Sequence, residues 1–222
     1  MGLNFKRGSQ VKRIIRKLYS IYLHLRVKKF ATIPGVEQNT KLLKPYFDDY
    51  IERVSVANMA ASLELAAVLL SLLQSRKYKK LVDLGSGFSS FVFRLYAKSN
   101  PGVEVISVDD DALWLEKTRD YLKKNNVSDS DLLTLDQFLA KNLSGFDCIL
   151  HDMNFVEVRI NYVSTLLTKL SDNGILILDD MHKPDYRIDV LKKLEHEPFN
   201  IYDVREQTLD SFGRYSMIVT KK

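Results

Sequence analysis

A short apolar segment that runs into a glycine turn constrains this chain more than any other feature. Residues 79–90, KKLVDLGSGFSS, predict a β-strand, then a turn containing Gly85 and Gly87, then the start of a helix. Glycine lets the backbone turn sharply and approach a ligand closely, and the first turn of a helix has free N–H groups. The next apolar run, VEVISV, is followed by Asp109, where a carboxylate can accept hydrogen bonds from the hydroxyls of a ribose. Together the two segments predict a site for a nucleotide-like ligand.

Apolar strands alternate with helical patterns after this turn. Nearly continuous apolar runs are typical of strands buried on both faces of a parallel sheet. The last two apolar runs, FNIYDVRE and RYSMIVTKK, are joined through a polar turn with no helix between them, which predicts an antiparallel hairpin at the sheet edge. The fold class predicted is α/β, a Rossmann-like doubly wound sheet of seven strands, mostly parallel, with a C-terminal antiparallel hairpin. Strands are expected near residues 80–84, 103–108, 131–135, 146–151 and 174–179, and helices near residues 88–98, 111–125, 136–142, 156–171 and 184–195.

The N-terminal segment differs from the rest of the chain in charge. Residues 1–30 contain nine Lys or Arg and no acidic residue, which leaves 24 basic and 28 acidic residues elsewhere, a net charge of −4. Apolar residues recur there at helical spacing, so a basic amphipathic helix is expected. Its apolar stripe consists of Val11, Ile14, Ile15, Leu18, Tyr22 and Leu25.

A connecting stretch and a long apolar helix are predicted to follow this segment. Pro34, Gly35 and Pro45 indicate the connection, and residues 55–75 have the composition of a largely buried helix. The domain organisation expected is therefore a helical extension with a linker over residues 1–54 and a single globular domain over residues 55–222.

The basic helix has three possible interpretations. Its apolar stripe can dock on the globular body or on a second copy in a homodimer, it can lie on an anionic membrane surface, or its charges can bind nucleic acid. An acid-poor start containing arginine also fits an organellar transit peptide. Because Cys148 is the one cysteine and no apolar stretch reaches membrane-spanning length, we expect a soluble cytoplasmic protein, with the membrane alternative placing it at the inner membrane surface.

Five βα units, a terminal hairpin and a glycine loop after the first strand resemble the class I S-adenosylmethionine (SAM) dependent methyltransferases over residues 55–222. A nicotinamide-binding fold is the more distant alternative, since its third glycine would fall at Ser90. The resemblance implies SAM as cofactor and assigns Asp109 to the ribose hydroxyls. It also implies that the methionine end is surrounded by Asp83, Gly85, Ser86 and Gly87.

Three further cofactor contacts follow from this resemblance alone. Asp136, just past the third predicted strand, matches the position that reaches the adenine amino group; the alternative is that it caps the helix beginning at Gln137. Asn58 and Met59 correspond to a stretch that closes over the cofactor in small-molecule O-methyltransferases.

Acidic residues follow two neighbouring strands of the predicted sheet. Asp152 comes after the fourth strand, and Asp179 and Asp180 come after the fifth, so all three should lie at one edge. Carboxylates brought together repel one another, and a hard divalent cation offsets the repulsion. This pattern resembles the metal-dependent O-methyltransferases, the group of the catechol and caffeoyl-coenzyme A enzymes. The resemblance implies that the three acids bind Mg²⁺ or another divalent cation and that the acceptor is a small molecule or sugar with neighbouring oxygens.

The residue that would remove the acceptor proton departs from the pattern of that family. The family places Lys or His three residues after the fourth-strand acid, and here this residue is Phe155. His182 and His151 are the candidate bases, because imidazole titrates near neutral pH. Two alternatives remain: a metal-independent enzyme in which Asp152 orients the acceptor, and a catalytically silent SAM-binding fold whose basic arm binds a membrane or RNA.

Overall fold

One mixed sheet with helices on both faces organises the chain in the computed structural model, which describes residues 18–19, 21–23, 25–153 and 155–222. The strands are β1 (Lys28–Lys29), β2 (Lys80–Leu84), β3 (Glu104–Asp109), β4 (Leu132–Thr134), β5 (Phe146–His151), β6 (Leu170–Leu178), β7 (Phe199–Asp203) and β8 (Met217–Lys221). The helices are α1 (Val36–Arg53), α2 (Leu63–Arg76), α3 (Phe88–Lys98), α4 (Ala112–Lys124), α5 (Leu135–Ala140), α6 (Val156–Thr168), α7 (Pro184–Lys193) and α8 (Arg205–Thr208).

The sheet topology confirms the predicted fold class and adds one strand. The spatial order is β1-β7-β8-β6-β5-β2-β3-β4, and β8 is antiparallel to both of its neighbours while the other pairs are parallel. The eighth strand, β1, lies in the predicted helical extension and linker, where no strand was expected; it has two exposed lysines, which suit a sheet edge. The C-terminal pair is antiparallel as predicted, but β1 lies outside it and α8 interrupts the connection. A single helical turn is too short to show a sequence period.

Residues on alternate sides of the strands build two separate core clusters. In β5, Cys148 and Leu150 face one cluster and Ile149 faces the other, as the two-residue period of a strand requires. The first cluster contains apolar residues of α1, α2 and α3, and the second those of α6 and α7. Both faces of the central strands are therefore buried, as their continuous apolar character predicted.

The predicted connecting stretch is instead a helix of 18 residues, α1, which contains Pro45. Exposed ion pairs one turn apart, such as Lys41 with Glu37 at 2.7 Å, line its outer face, while Leu43 and Tyr50 are buried against the body. The long helix predicted over residues 55–75 begins only at Leu63, because Ser62 caps it by accepting a hydrogen bond from the Leu65 N–H. Residues 55–62 form a loop that leads into the site described below.

The strand order fixes where a ligand crevice can open. The chain runs from β2 outward through β3 and β4, then returns to the other side of β2 for β5 and β6. The connections leaving the carboxyl ends of β2 and β5 therefore diverge, and such a switch point leaves a crevice. No helix among the described ranges has the length and apolar character needed to cross a membrane.

Candidate functional site

A cavity of about 400 Å³ opens at this switch point. Its floor is the glycine loop after β2, and its walls come from the end of β3, the start of α4 and the loop before α2. The lining residues are Tyr50, Met59, Ala60, Ala61, Gly85, Ser86, Gly87, Phe88, Ser89, Asp109, Asp110, Asp111, Trp114 and Asp152.

Both glycines of the loop are required by close contacts. Gly85 has a φ of 99°, and a Cβ there would lie 2.5 Å from the backbone oxygen of Asp152. A Cβ on Gly87 would lie 2.8 Å from the hydroxyl oxygen of Tyr50. The loop is therefore pressed between the end of β5 and α1, and any larger residue would displace it.

Asp109 lies at the cavity wall with its carboxylate fixed by the glycine loop. Its Oδ2 accepts hydrogen bonds from the backbone N–H of Ser86 at 2.8 Å and from the Ser86 hydroxyl at 3.1 Å. Burial raises the pKa of Asp109, and the N–H groups of Asp111 and Ser86 oppose that shift. The predicted bond to ribose hydroxyls stays a prediction. Asp111 caps α4 by accepting a hydrogen bond from the Leu113 N–H at 2.8 Å.

Asp83 does not line the cavity, although the resemblance placed it beside the cofactor. Its carboxylate is fully buried and accepts hydrogen bonds from the hydroxyls of Ser107 at 2.5 Å, Ser90 at 2.6 Å and Ser89 at 3.1 Å. Burial raises its pKa, and the nearby Arg94 guanidinium opposes that rise. Asp83 therefore ties the start of α3 to β3 and holds the glycine loop from behind.

Asp136 also lies outside the cavity. It is an exposed residue in the first turn of α5, and the residue that caps this helix is Thr134, whose hydroxyl accepts from the Gln137 N–H at 3.3 Å. The alternative that Asp136 itself caps the helix is therefore wrong, because the helix begins two residues earlier than predicted.

Two aromatic residues of the cavity had no counterpart in the sequence predictions. Trp114 donates from Nε1 to the backbone oxygen of Ser86 at 2.6 Å and so closes one side of the glycine loop. Tyr50 is 1% exposed and reaches Gly87 from α1. The spacing of Leu43, Phe47 and Tyr50 fits a helical face, but the two prolines of this stretch obscured it.

The loop before α2 is held over the site by one arginine. Arg214 donates to the backbone oxygens of Ala57 at 3.1 Å and of Asn58 and Ala60 at 3.0 Å each. Its Nε binds Asp210 at 2.6 Å, which fixes the guanidinium. Arg214 comes from the segment just before β8, so the C-terminal hairpin positions the loop that carries the predicted contacts.

A second cavity, of about 390 Å³, adjoins the first. The two cavities share Met59 and Asp152, so these residues lie on the boundary between them. Phe155, which is 75% exposed, and Met59, which is 73% exposed, supply apolar surface. The lining residues are Asn58, Met59, Asp152, Phe155, Arg159, Asp180, His182, Lys183 and Arg214.

The three predicted metal ligands lie together, but a buried guanidinium lies among them. Arg159 is 3% exposed; its Nη2 is 3.1 Å from Asp152 Oδ1 and its Nη1 is 3.4 Å from Asp180 Oδ2. The same Nη1 also contacts the backbone oxygen of Asp179 at 3.5 Å. Two of the acids also have a second donor. The Ser216 hydroxyl donates to Asp179 at 2.7 Å, and the Lys183 ammonium group donates to Asp180 at 2.7 Å.

This arrangement does not fit a divalent cation. The positive charge of Arg159 already offsets the repulsion that led us to expect a metal, and its N–H groups point at the oxygens a cation would need. Within the described ranges, no group of three or more His, Cys, Asp or Glu residues has the geometry to hold a metal ion.

The protonation of the acids follows from their surroundings. Burial raises the pKa of Asp152 to about 7, with Arg159 opposing the rise. Burial likewise raises the pKa of Asp179, against the hydrogen bond from Ser216. Burial alone would raise the pKa of Asp180, but Lys183 and Arg159 lower it below the ordinary value. Asp152 therefore has a pKa near neutral pH.

The two candidate histidines occupy different environments. His151 is fully buried, lines neither cavity, and places Nε2 2.8 Å from the backbone oxygen of Arg159; burial lowers its pKa to about 3. This position does not suit the predicted role of a base. His182 lines the second cavity, with Nδ1 3.4 Å from Asp180 Oδ1.

Solved structures confirm the class of fold that the sheet and the glycine loop define. The cofactor-bound Rv0187 from MTB has a TM-score of 0.64 at 16% identity, covering 86% of this chain and 97% of that chain. The SAM complex of the O-methyltransferase TomG from Streptomyces achromogenes, involved in tomaymycin synthesis, has a TM-score of 0.58 at 13% identity, covering 91% and 94%. The chain therefore has the fold of the SAM-dependent methyltransferases.

Among individual proteins, the SAH-bound methyltransferase PaMTH1 of Podospora anserina is similar over 100% of this chain and 98% of its own, with a TM-score of 0.57 and 16% identity. No protein-family model and no curated protein matches the sequence.

Proposed function

We propose that this protein is a SAM-dependent methyltransferase that methylates an oxygen of a small molecule or sugar. The observation that carries the proposal is the pair of adjoining cavities that share Asp152 and Met59. A methyl transfer needs a donor and an acceptor that meet in line, so two neighbouring cavities with a common boundary are what the reaction requires.

The first cavity has the residues that SAM requires. Asp109 offers a carboxylate to the ribose hydroxyls, and the glycine loop brings backbone close to the ligand without side chains. Tyr50 and Trp114 brace the loop from either side. When bound, SAM supplies a methyl group on a positively charged sulfur, which leaves as a neutral thioether when the acceptor oxygen forms the new bond.

Asp152 is the residue placed to remove the proton from the hydroxyl group of the substrate. It borders both cavities, and its raised pKa keeps it a useful base near neutral pH. With SAM bound, Asp152 would take the proton of the acceptor hydroxyl, and the oxygen would keep the electron pair it needs to receive the methyl group. His182 is the second candidate for this role, since it lines the second cavity, where the acceptor would bind.

The reaction proposed here runs without a divalent cation. The metal expected from the resemblance is replaced by Arg159, which supplies positive charge among the same three carboxylates. An enzyme with this arrangement positions its acceptor through Asp152 and its neighbours instead of by chelation, so an acceptor with one hydroxyl is as suitable as one with two.

Calorimetric titration with SAM tests the cofactor site. We expect Asp109→Asn to weaken SAM binding by at least about tenfold, because an amide cannot accept both ribose hydroxyls. Asp172→Asn is the matched control and should leave the affinity unchanged, since Asp172 is 99% exposed and lies outside the cavity. Equal affinity of the wild type and Asp109→Asn would overturn the assignment. SAM binding with no methyl transfer across a panel of hydroxyl acceptors would favour the catalytically silent alternative.

Manganese titration followed by electron paramagnetic resonance tests whether a divalent cation binds at the three acids. We expect no Mn²⁺ binding at the acids of the wild type and full activity in excess chelator. Arg159→Gln removes the charge that neutralises the carboxylates and should create measurable Mn²⁺ binding there. Arg119→Gln, at a half-buried arginine of α4 that lines neither cavity, is the control. Loss of wild-type activity in chelator, restored by Mg²⁺, would contradict this part of the proposal.

A further inference from the structure

Apolar side chains at the start of the described chain lie on two different sides. Residues 18–19 and 21–23 are helical. Tyr19 and Leu23 face the body, where Leu23 is 0% exposed within the second core cluster and the Tyr19 hydroxyl donates to Glu195 at 2.6 Å. Tyr22 stacks on the Tyr19 ring at 6.0 Å and also bonds to Glu195. Docking on the body, one of the alternatives left open by the sequence, accounts for this side of the segment.

The opposite side carries three large aliphatic residues that nothing in the described part of the chain covers. At 100° per residue they fall within an arc of about 60° on one side of a helix. We call this surface the arm face; it consists of Leu18, Ile21 and Leu25, which are 62%, 52% and 80% exposed. Val11, Ile14 and Ile15 continue the same period in the sequence but lie outside the described residues.

The charge around the arm face is uniformly basic in the sequence. Residues 1–30 contain nine basic and no acidic residues, whereas the rest of the chain has a net charge of −4. On the neighbouring body, the Lys192 ammonium group lies 5.2 Å from the centre of the Tyr19 ring, and Arg26 and Glu195 approach to 4.0 Å. Apolar side chains flanked by Lys and Arg are the composition that binds an anionic lipid surface.

We propose that the arm face binds the surface of an anionic membrane and holds the methyltransferase body there. A second copy of the chain is a poorer occupant, because pairing two arm faces would bring together two segments that each have nine positive charges and no acid. RNA is also poorer, since phosphate binding leaves exposed leucine and isoleucine side chains without a role. The lipid surface is the partner that uses both the apolar residues and the charge.

Vesicle flotation with the full-length protein tests this proposal. The anionic vesicles contain phosphatidylcholine with about 30% phosphatidylglycerol, which gives them a negative surface. We expect the protein to bind these vesicles and to bind pure phosphatidylcholine vesicles little. The variant Leu18→Ser/Ile21→Ser/Leu25→Ser should bind the anionic vesicles at least about tenfold more weakly, because it loses the apolar contribution. Leu42→Ser, on the exposed side of α1 at 50% exposure, is the matched control and should bind as the wild type does.

A charge variant keeps the test decisive if the triple variant folds poorly. Arg13→Gln/Arg16→Gln/Lys17→Gln should also weaken vesicle binding, and raising the salt concentration should weaken the wild type in the same way. Unchanged vesicle binding in both variants would overturn the proposal. So would tight binding of a single-stranded RNA that survives the serine substitutions, or a dimer in sedimentation equilibrium that those substitutions dissociate.

Discussion

At the scale of single residues, the site depends on how one carboxylate differs from its neighbours. Asp152, Asp179 and Asp180 lie within reach of the same guanidinium, yet each has a different set of donors. Lys183 and Arg159 keep Asp180 charged, while burial shifts Asp152 toward neutral pH. Asp152 alone among them borders both cavities, so it is the carboxylate closest to the proposed reaction.

This difference predicts the pH dependence of the reaction. Asp152 acts as a base only when deprotonated, and its pKa is raised to about 7, so kcat should rise as the pH increases through that value. Asp152→Asn should remove this rise and lower kcat by about 10²–10⁴-fold. Asp172→Asn is the control, because that side chain is 99% exposed. A pH profile that survives in Asp152→Asn and disappears in His182→Gln would transfer the role to the histidine.

At the scale of elements, the loop before α2 depends on a segment far along the chain. Arg214 satisfies three backbone oxygens of residues 57–60 and is itself fixed by Asp210. The segment before β8 thereby holds Met59 at the boundary of both cavities. An arginine suits this role because its planar guanidinium presents several donors in a fixed geometry.

Replacing this arginine with lysine tests the connection. Arg214→Lys keeps the charge beside Asp210 but cannot reach all three oxygens, so residues 55–62 should exchange their amide hydrogens faster. We expect the KM for SAM to rise by about tenfold, equivalent to ~1.4 kcal/mol, with kcat changed less. Arg119→Lys, whose guanidinium pairs with Glu116 on the surface of α4, should change neither quantity. Unaltered hydrogen exchange in Arg214→Lys would show that the loop is held by other contacts.

At the scale of the whole molecule, the described part of the predicted extension packs against the rest of the chain. The boundary expected at residue 54 separated an extension from the body, but β1 pairs with β7, Leu23 is buried in the core, and Tyr50 lines the first cavity. The described residues of the extension therefore contribute both to the sheet and to the candidate site.

Substitution of two leucines that lie two residues apart tests how much this segment contributes to the stability of the fold. Leu23→Ala should lower the free energy of unfolding by about 2–5 kcal/mol, because it opens a cavity in the core. Leu25→Ala, at 80% exposure, should stay within about 0.5 kcal/mol of the wild type. Urea denaturation of both variants gives the comparison. Equal stability of the two would mean that this segment does not pack on the body.

The sequence by itself determined the features that depend on neighbouring residues. The glycine turn after β2, the alternation of strands and helices, and the placement of Asp109 at the tip of β3 all follow from local patterns. The parallel order of the strands also brought the three predicted metal ligands to one edge, since carboxyl ends of parallel strands meet there.

Only the tertiary structure decided what surrounds those residues. Arg159 lies on a helix whose face toward the acids no sequence period specifies, and its guanidinium is buried where the sequence led us to expect a cation. Tyr50 and Arg214 reach the site from opposite ends of the chain, and Asp83 turned out to support the loop from behind instead of lining the cavity. Contacts between distant segments depend on how the helices pack on the sheet. The spacing of residues along the sequence does not determine that packing.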